Sequence, residues 1–379
     1  MASLPFLNPA AVSIGDQRKG LDYWLLVLTL LLSGLGLVMV LSASGIMAER
    51  FWSDKYYFFK RHALFLVLGL SVMALAATLP RQWYMRPVHV WLLAVVGLLV
   101  LTIFSPLGVQ AGGARRWLSL GPVNIQPLEV ARVALVFYLA SFFSRKQELI
   151  KSFHVGFLPP LCITGLLCVL LLAQPDFGGA ASLVLLLCCI SLVGGTRIVY
   201  LATTSFLALV AGVYLVLSSP YRLRRWFAFL DPFQDAQDAG YQLVQSLYAL
   251  GSGGWLGVGL GAGKQKLFFL PAAHNDFIVA VLGEELGFLG LSLFFVLMGL
   301  LLWRGMRIAL AQEDLQERFV GYGMVLILAL GAFLNMAVVL GVVPPKGTPM
   351  PFLSYGGSSL VMSLFCVGVL LNLSRGGTR

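Results

Sequence analysis

About ten apolar runs follow one another from Leu21 to near the C-terminus, each close to the ~20 residues a helix needs to cross ~30 Å of hydrocarbon. They fall at 21–44, 63–79, 87–104, 127–143, 156–173, 177–194, 198–217, 276–302, 320–343 and 352–373. Inside a bilayer every backbone N–H and C=O must find its partner within the protein, and runs of this length do so as helices. The expected fold class is therefore all-α: a polytopic membrane protein with about ten transmembrane helices and one large extracytoplasmic loop. Of 379 residues, 59% are hydrophobic and 11% charged, whereas soluble domains carry roughly a quarter charged. A soluble enzyme is excluded. No charge-rich segment is long enough for a second module, so residues 1–379 read as a single membrane domain.

The N-terminal twenty residues lack the short apolar core and cleavage site of a signal peptide, so the first apolar segment is expected to stay in the mature protein. All five cysteines, Cys162, Cys168, Cys188, Cys189 and Cys366, lie inside apolar runs, which argues against a disulfide framework or a metal cluster. The net charge of +10 comes without a basic run interleaved with aromatics, so nucleic acid is not an expected partner. Anionic lipid headgroups are.

Residues 218–275, between the seventh and eighth spans, form a connection too long to be a simple turn. Its scattered apolar residues, among them Trp226, Phe229, Leu243 and Trp255, favour an ordered loop lying on the membrane face. With the N-terminus inside, inner segments carry about 13 Lys or Arg and outer ones about 12; without the long loop's five the outer count falls to about 7. Both termini are then expected on the cytoplasmic side. The outer positives that remain, including Lys60, Arg61, Arg115 and Arg116, run against this preference; an anionic ligand on the outer face accounts for them as well as snorkelling to lipid phosphates does.

Alternating spans gather the polar motifs on that outer face: Gly113-Ala114-Arg115-Arg116-Trp117, Gln126-Pro127-Leu128-Glu129-Val130-Ala131-Arg132, Gln174-Pro175-Asp176, the end of the long loop at His274-Asn275-Asp276, and Pro344 through Ser359. Such convergence is the pattern of a site. Glu129 and Arg132, three apart at a helix start, share one helix face, where they either anchor the helix end or face a polar cavity. Asp176 reads equally as a helix N-cap and as a ligand-facing acid. Asp276, at the end of the loop, is either a cap or an acid able to take a proton from a sugar hydroxyl at the membrane surface. Of Glu284 and Glu285, at least one must point into the bundle, because two adjacent acids cannot both face lipid. Arg115, Arg116, Lys264, Lys266 and Lys346 could together hold a pyrophosphate as it leaves, or form an ordinary basic surface. The glycine run from Gly251 to Gly263 lacks the spacing and preceding strand of a nucleotide loop and reads as a tightly turning, closely packed segment.

In order and wording these segments resemble the SEDS family of cell-wall polymerases (shape, elongation, division and sporulation). The resemblance runs from Leu41-Ser42-Ala43-Ser44 through Asp238-Ala239-Gly240-Tyr241-Gln242, Gln245-Ser246 and Gly283-Glu284-Glu285-Leu286-Gly287 to Pro351-Phe352-Leu353-Ser354-Tyr355-Gly356-Gly357. Ala114-Arg115-Arg116-Trp117 and Lys264-Gln265-Lys266-Leu267-Phe268 are closer to its division branch than to its elongation branch. The resemblance implies a peptidoglycan glycosyltransferase that polymerises lipid II, releases undecaprenyl pyrophosphate, and works with a class B penicillin-binding protein of the FtsI type and other division proteins. It implies Asp276 as the essential acid and general base, and Glu129 as a functional glutamate. The glutamate's usual lysine partner is here Arg132, which keeps the charge without a titratable amine. Where the family usually reads Glu-Ala-His-Thr-Asp, this chain has Ala272-Ala273-His274-Asn275-Asp276.

On these grounds the expected catalytic set is Asp276, Glu129 and Arg132, with Arg115, Arg116, Trp117, Asp176, Gln245, Lys264, Lys266, His274, Lys346 and Ser354 binding substrate. The resemblance admits a divalent cation, magnesium or manganese, although no metal-ligand spacing occurs in the sequence. Two other readings use the same residues: a flippase for the lipid-linked precursor, disfavoured by the lack of a defensible inverted repeat, and a non-enzymatic division scaffold.

Overall fold

The computed structural model describes residues 20–111, 114–121, 123–238, 240–267, 269–271, 273–345 and 347–376. Two long helices open the chain, α1 (Tyr23–Trp52) and α2 (Tyr57–Thr78), followed by one short turn, α3 (Gln82–Met85), and by α4 (Val88–Phe104). Three short strands come next, β1 (Gly108–Ala111), β2 (Ala114–Leu120) and β3 (Val123–Ile125), and then helices α5 (Pro127–Arg145), α6 (Leu158–Ala173), α7 (Phe177–Gly194) and α8 (Ile198–Leu217). The long connection contains α9 (Pro220–Leu230) and α10 (Tyr241–Gly253); α11 (Ile278–Leu310), α12 (Leu315–Val339) and α13 (Gly357–Ser374) complete the chain.

Among the described residues, nine helices are long and apolar enough to cross a membrane, counting α6 with the π-helical turn that leads into it. At 17 residues, or ~25 Å, α4 makes a tenth. The chain is a multi-pass membrane protein of all-α class, as expected. Hydropathy misplaces some ends because it senses hydrocarbon, not helix: α2 begins six residues before its apolar run, in the aromatic and basic stretch from Tyr57 to Arg61. The last span begins at Gly357 and not 352, because Pro349, Pro351 and a positive φ at Phe352 hold the preceding segment out of helix.

Helix α5 is the axis of the bundle, with all but four of its 19 residues buried. Around it pack α4, α7 and α12, while α2 lies along α13 and α1 along both α2 and α11. At one end of the bundle, ion pairs join elements remote in sequence: Asp22 caps α1 and meets Arg304 at 2.7 Å, and Arg81 bridges Glu317 (2.5 Å) and Asn372 (3.0 Å). The opposite end, termed here the loop end, carries the strands, the long connection and the segment before α13.

Two features at the loop end depart from the expected plan. The 104–127 connection is an antiparallel three-stranded sheet in the order β1-β2-β3, not a loop. The long connection does not simply lie on the membrane face either: α10 packs along α11, and residues 254–266 enter the bundle. They do so where α11 breaks at Gly287 (φ 66°). There the amides of Val258 and Gly259 donate to the carbonyls of Glu284 and Glu285 at 3.0 Å, and that of Phe288 donates to Gly254 at 2.9 Å. A Cβ on Gly257 would sit 2.2 Å from the Glu285 carbonyl, so the close packing read from the glycine run is observed, and no larger residue fits. Irregular backbone at this depth is tolerated because its polar groups are paired within the protein.

Candidate functional site

Asp276 stands immediately before α11, and its neighbours on either side are held from three directions. The buried Asn335 of α12 donates through Nδ2 to the Asp276 carbonyl (2.8 Å) and to the Thr348 carbonyl (2.6 Å), tying the loop end of α11 to the segment before α13. Ser354 donates to the Asn275 carbonyl at 2.6 Å and accepts from the Met350 amide at 2.7 Å. His274 is buried between Phe58 and Tyr355, ring centroids at 4.6 and 5.6 Å, and its carbonyl accepts from the Tyr355 amide. Burial lowers its imidazole pKa to about 4, so it is neutral at physiological pH. His274 and Ser354, expected to contact substrate, are therefore occupied in fixing the backbone that presents Asp276.

The Asp276 carboxylate itself takes no hydrogen bond from the described residues. Gly347 lies against it, with room for no side chain: a Cβ there would come within 2.9 Å of Oδ2. Burial raises the Asp276 pKa to about 6, and the positive charge of Arg116 opposes that rise. Such an acid, ionised at neutral pH but only a little below it, suits a general base.

Arg116 reaches this site from β2. Its Nη2 donates to the Pro175 carbonyl at 2.5 Å and its Nε lies 3.9 Å from Asp176 Oδ1. Asp176 in turn caps α7 through the Gly179 amide (3.0 Å), so it serves as cap and as partner to Arg116 together. Arg115 and Trp117 are a different matter. The β1-β2 register shifts at this point, with Arg115 opposite Gln110 and Trp117 opposite Val109; Trp117 is half-buried, and Arg115 is exposed and reaches only the Ile103 carbonyl at 3.4 Å.

One or two turns beneath the loop end, Arg132 Nη1 meets Glu129 Oε1 and Oε2 at 3.0 and 3.1 Å, and Arg132 Nε donates to Ser182 at 3.3 Å. Arg132 and Ser182 line a narrow crevice closed above by Thr348 and Pro349, next to Asp276's neighbour Gly347. Its free volume of about 10 Å³ holds roughly one water.

Lys266, expected among the cations that meet an anionic leaving group, is instead buried in an ion pair with Glu285 (2.6 Å) and donates to Ser42 of α1 (2.9 Å). Glu285 also accepts from the Gly261 amide (3.0 Å), and Glu284 from the Lys264 and Gln265 amides (2.7 and 3.2 Å). Both glutamates thus face the bundle, and their partners come from the inserted glycine segment. The Lys264 side chain is exposed, and Gln245 is half-buried on α10 away from these contacts. Lys346 lies outside the described residues, as do Gly113, Ala239, Phe268 and Ala272 of the motifs.

Among the described residues no three of His, Cys, Asp or Glu gather to hold a metal ion. Asp276 has Arg116 near it and no second acid facing it, so the donor set does not fit a protein-held divalent cation. Asn335 and Ser182 stand outside the motifs read from the sequence, whereas Ser246, part of the Gln245-Ser246 motif, donates to the Val339 carbonyl at 2.9 Å. The lone asparagine in an apolar span was the available signal, since such a residue must find partners inside the bundle.

The family model described as "Cell cycle protein", which groups FtsW, RodA and SpoVE, matches residues 23–378. The chain belongs to this family. A Geobacter species protein named probable peptidoglycan glycosyltransferase FtsW is 44% identical over 356 residues, 94% of this chain and 97% of that one. The stage V sporulation protein E of Bacillus subtilis is 41% identical over 360 residues, 95% and 98% of the two chains. Among solved structures, a chain from a peptidoglycan synthase complex described as coordinating polymerisation and crosslinking superposes with a TM-score of 0.79 at 28% identity, covering 94% of this chain and 98% of that one. RodA of Thermus thermophilus gives 0.68 at 26% identity, covering 95% and 98%.

Proposed function

We propose that this chain is a peptidoglycan glycosyltransferase of the FtsW type that polymerises lipid II at the outer face of the cytoplasmic membrane. The observation that carries this reading is the Asp276 carboxylate: raised to about 6 by burial, free of hydrogen bonds from the described residues, and presented by a backbone fixed from α12, the segment before α13 and α2. Asp276 takes the proton of the acceptor sugar hydroxyl, whose oxygen attacks the anomeric carbon of the donor. The bond from that carbon to the phosphate oxygen breaks with inversion, and the lipid pyrophosphate departs with both bonding electrons. Arg116 keeps Asp276 ionised and adds positive charge at the site; Arg115 and Lys264 are exposed to meet the leaving group, and Arg132, paired with Glu129, lines the crevice below.

The loop end is then extracytoplasmic and both termini are cytoplasmic, which agrees with the excess of basic residues at the opposite end. The relatives' names and the synthase complex support a class B penicillin-binding protein of the FtsI type as partner, with the division septum as the place of work.

The deciding experiment is lipid II polymerisation by the purified chain with its cognate penicillin-binding partner, that partner's own active sites inactivated. The parent should give glycan strands and Asp276→Asn none. Strands from Asp276→Asn at the parental rate would remove Asp276 from the chemistry.

A further inference from the structure

At the end of the bundle opposite Asp276, a cavity of about 230 Å³ opens between the start of α4 and the end of α5. Its polar lining is Arg86 and His89 from the first element, and Tyr138, Ser141, Arg145 and Lys146 from the second. We propose that this cavity is a binding site for a phosphate-bearing anion.

Three observations carry the proposal. The first is charge without compensation. Arg86, Arg145 and Lys146 form no ion pair among the described residues, and no carboxylate lines the cavity that gathers them. Arg145 and Lys146 offset the negative end of the α5 dipole, but Arg86 and His89 stand at the positive end of α4 and have no such duty. The second is the start of α4 itself, which has no side-chain cap: the Val88 and Trp91 amides donate to the Arg86 and Pro87 carbonyls, while those of His89 and Val90 between them have no acceptor among the described residues. The third is a pair of hydroxyls. Tyr138 and Ser141 lie three apart on one face of α5, both buried, and neither side-chain oxygen makes a hydrogen bond among the described residues.

Cations, open amides and buried donors converging on one volume describe an anion receptor, not separate snorkelling side chains. The cavity is smaller than the ~300–1,000 Å³ of pockets for drug-sized ligands, and so suits a phosphate or a phosphodiester headgroup. Such a group comes either from an anionic phospholipid at the membrane boundary or from a soluble phosphate.

The test compares the full-length parent with Arg86→Gln/Lys146→Gln, both exposed positions, and with Tyr138→Phe. In one arm, each protein is reconstituted in phosphatidylcholine nanodiscs with or without phosphatidylglycerol, and retained lipid is counted by native mass spectrometry. In the other, unfolding in detergent is followed in sodium phosphate against sodium chloride of equal ionic strength. Preferential retention of phosphatidylglycerol by the parent, lost about tenfold or more in the double variant, assigns a lipid headgroup. A rise in the parent's melting temperature with phosphate, absent in the variants and without lipid preference, assigns a soluble anion. A parent that shows neither effect, or folded variants that behave as the parent does in both arms, overturns the site. The parent's own two arms decide the matter even where a variant fails to fold.

Discussion

The desolvation that raises the Asp276 pKa costs the folded protein stability at neutral pH. Its carboxyl is ordinary when the chain unfolds, near 3.8, and is raised to about 6 in the fold. Between those values the folded state holds the proton more tightly, so stability from this group is full below about pH 4 and is lost as pH rises through 6. At pH 7.5 the ionised, buried carboxylate should cost about 1–3 kcal/mol. Asp276→Asn is therefore expected to melt higher than the parent at pH 7.5 and equally at pH 4, while making no glycan. Equal melting at both pH values would show that Asp276 is not desolvated. The rate of the parent should fall on the acid side with a midpoint near pH 6, where the base takes up its proton. Arg116 lowers that midpoint, so Arg116→Gln should move the acid limb to higher pH. A limb that stays put would separate Arg116 from Asp276. Asp276 and Glu129 were legible as candidates from residue type and place; that His274 and Ser354 hold backbone was not, because their partners lie some 80 to over 200 residues away in sequence.

The inserted glycine segment and the break in α11 form one structural unit. Glu284 and Glu285 would be unaffordable in a membrane helix without donors, and the segment 257–266 supplies amides and one ammonium. Lys266→Met leaves Glu285 buried with its cation gone and should destabilise by about 3–5 kcal/mol. Lys266→Met/Glu285→Gln should recover part of that loss, because glutamine still accepts from Gly261 and Ser42. Lys264, whose side chain is exposed, should tolerate methionine within about 0.5 kcal/mol. Thermal unfolding in detergent ranks the three, and a Lys266→Met protein as stable as the parent would return Lys266 to the list of free cations. The two glutamates announced that something must answer them inside the bundle. Only the fold shows that the answer comes mainly from the long connection, with Ser42 of α1 as the one contribution from a neighbouring span among the described residues.

For the whole molecule, the proposed placement of termini and loop end rests on a charge count that favours it only once the long connection is set aside. Single cysteines in a cysteine-free background test it directly: Arg115→Cys should react with a membrane-impermeant maleimide in intact cells, and Arg86→Cys only after permeabilisation. The reverse pattern would invert the protein and move Asp276 to the cytoplasm. By itself the sequence determined the class, the number of spans and the gathering of polar motifs at one end, because the bilayer admits few structures and alternation leaves no choice of side. Tertiary structure alone decided which polar residues are partnered and which stand exposed: Arg116 lies beside Asp176 while Arg115 is exposed, and an insertion buries Lys266 beside Glu285. The difference is physical. Hydrophobic spans are recognised by transfer from water, a property of each run alone, whereas a charge acquires its role from the partners that folding sets against it.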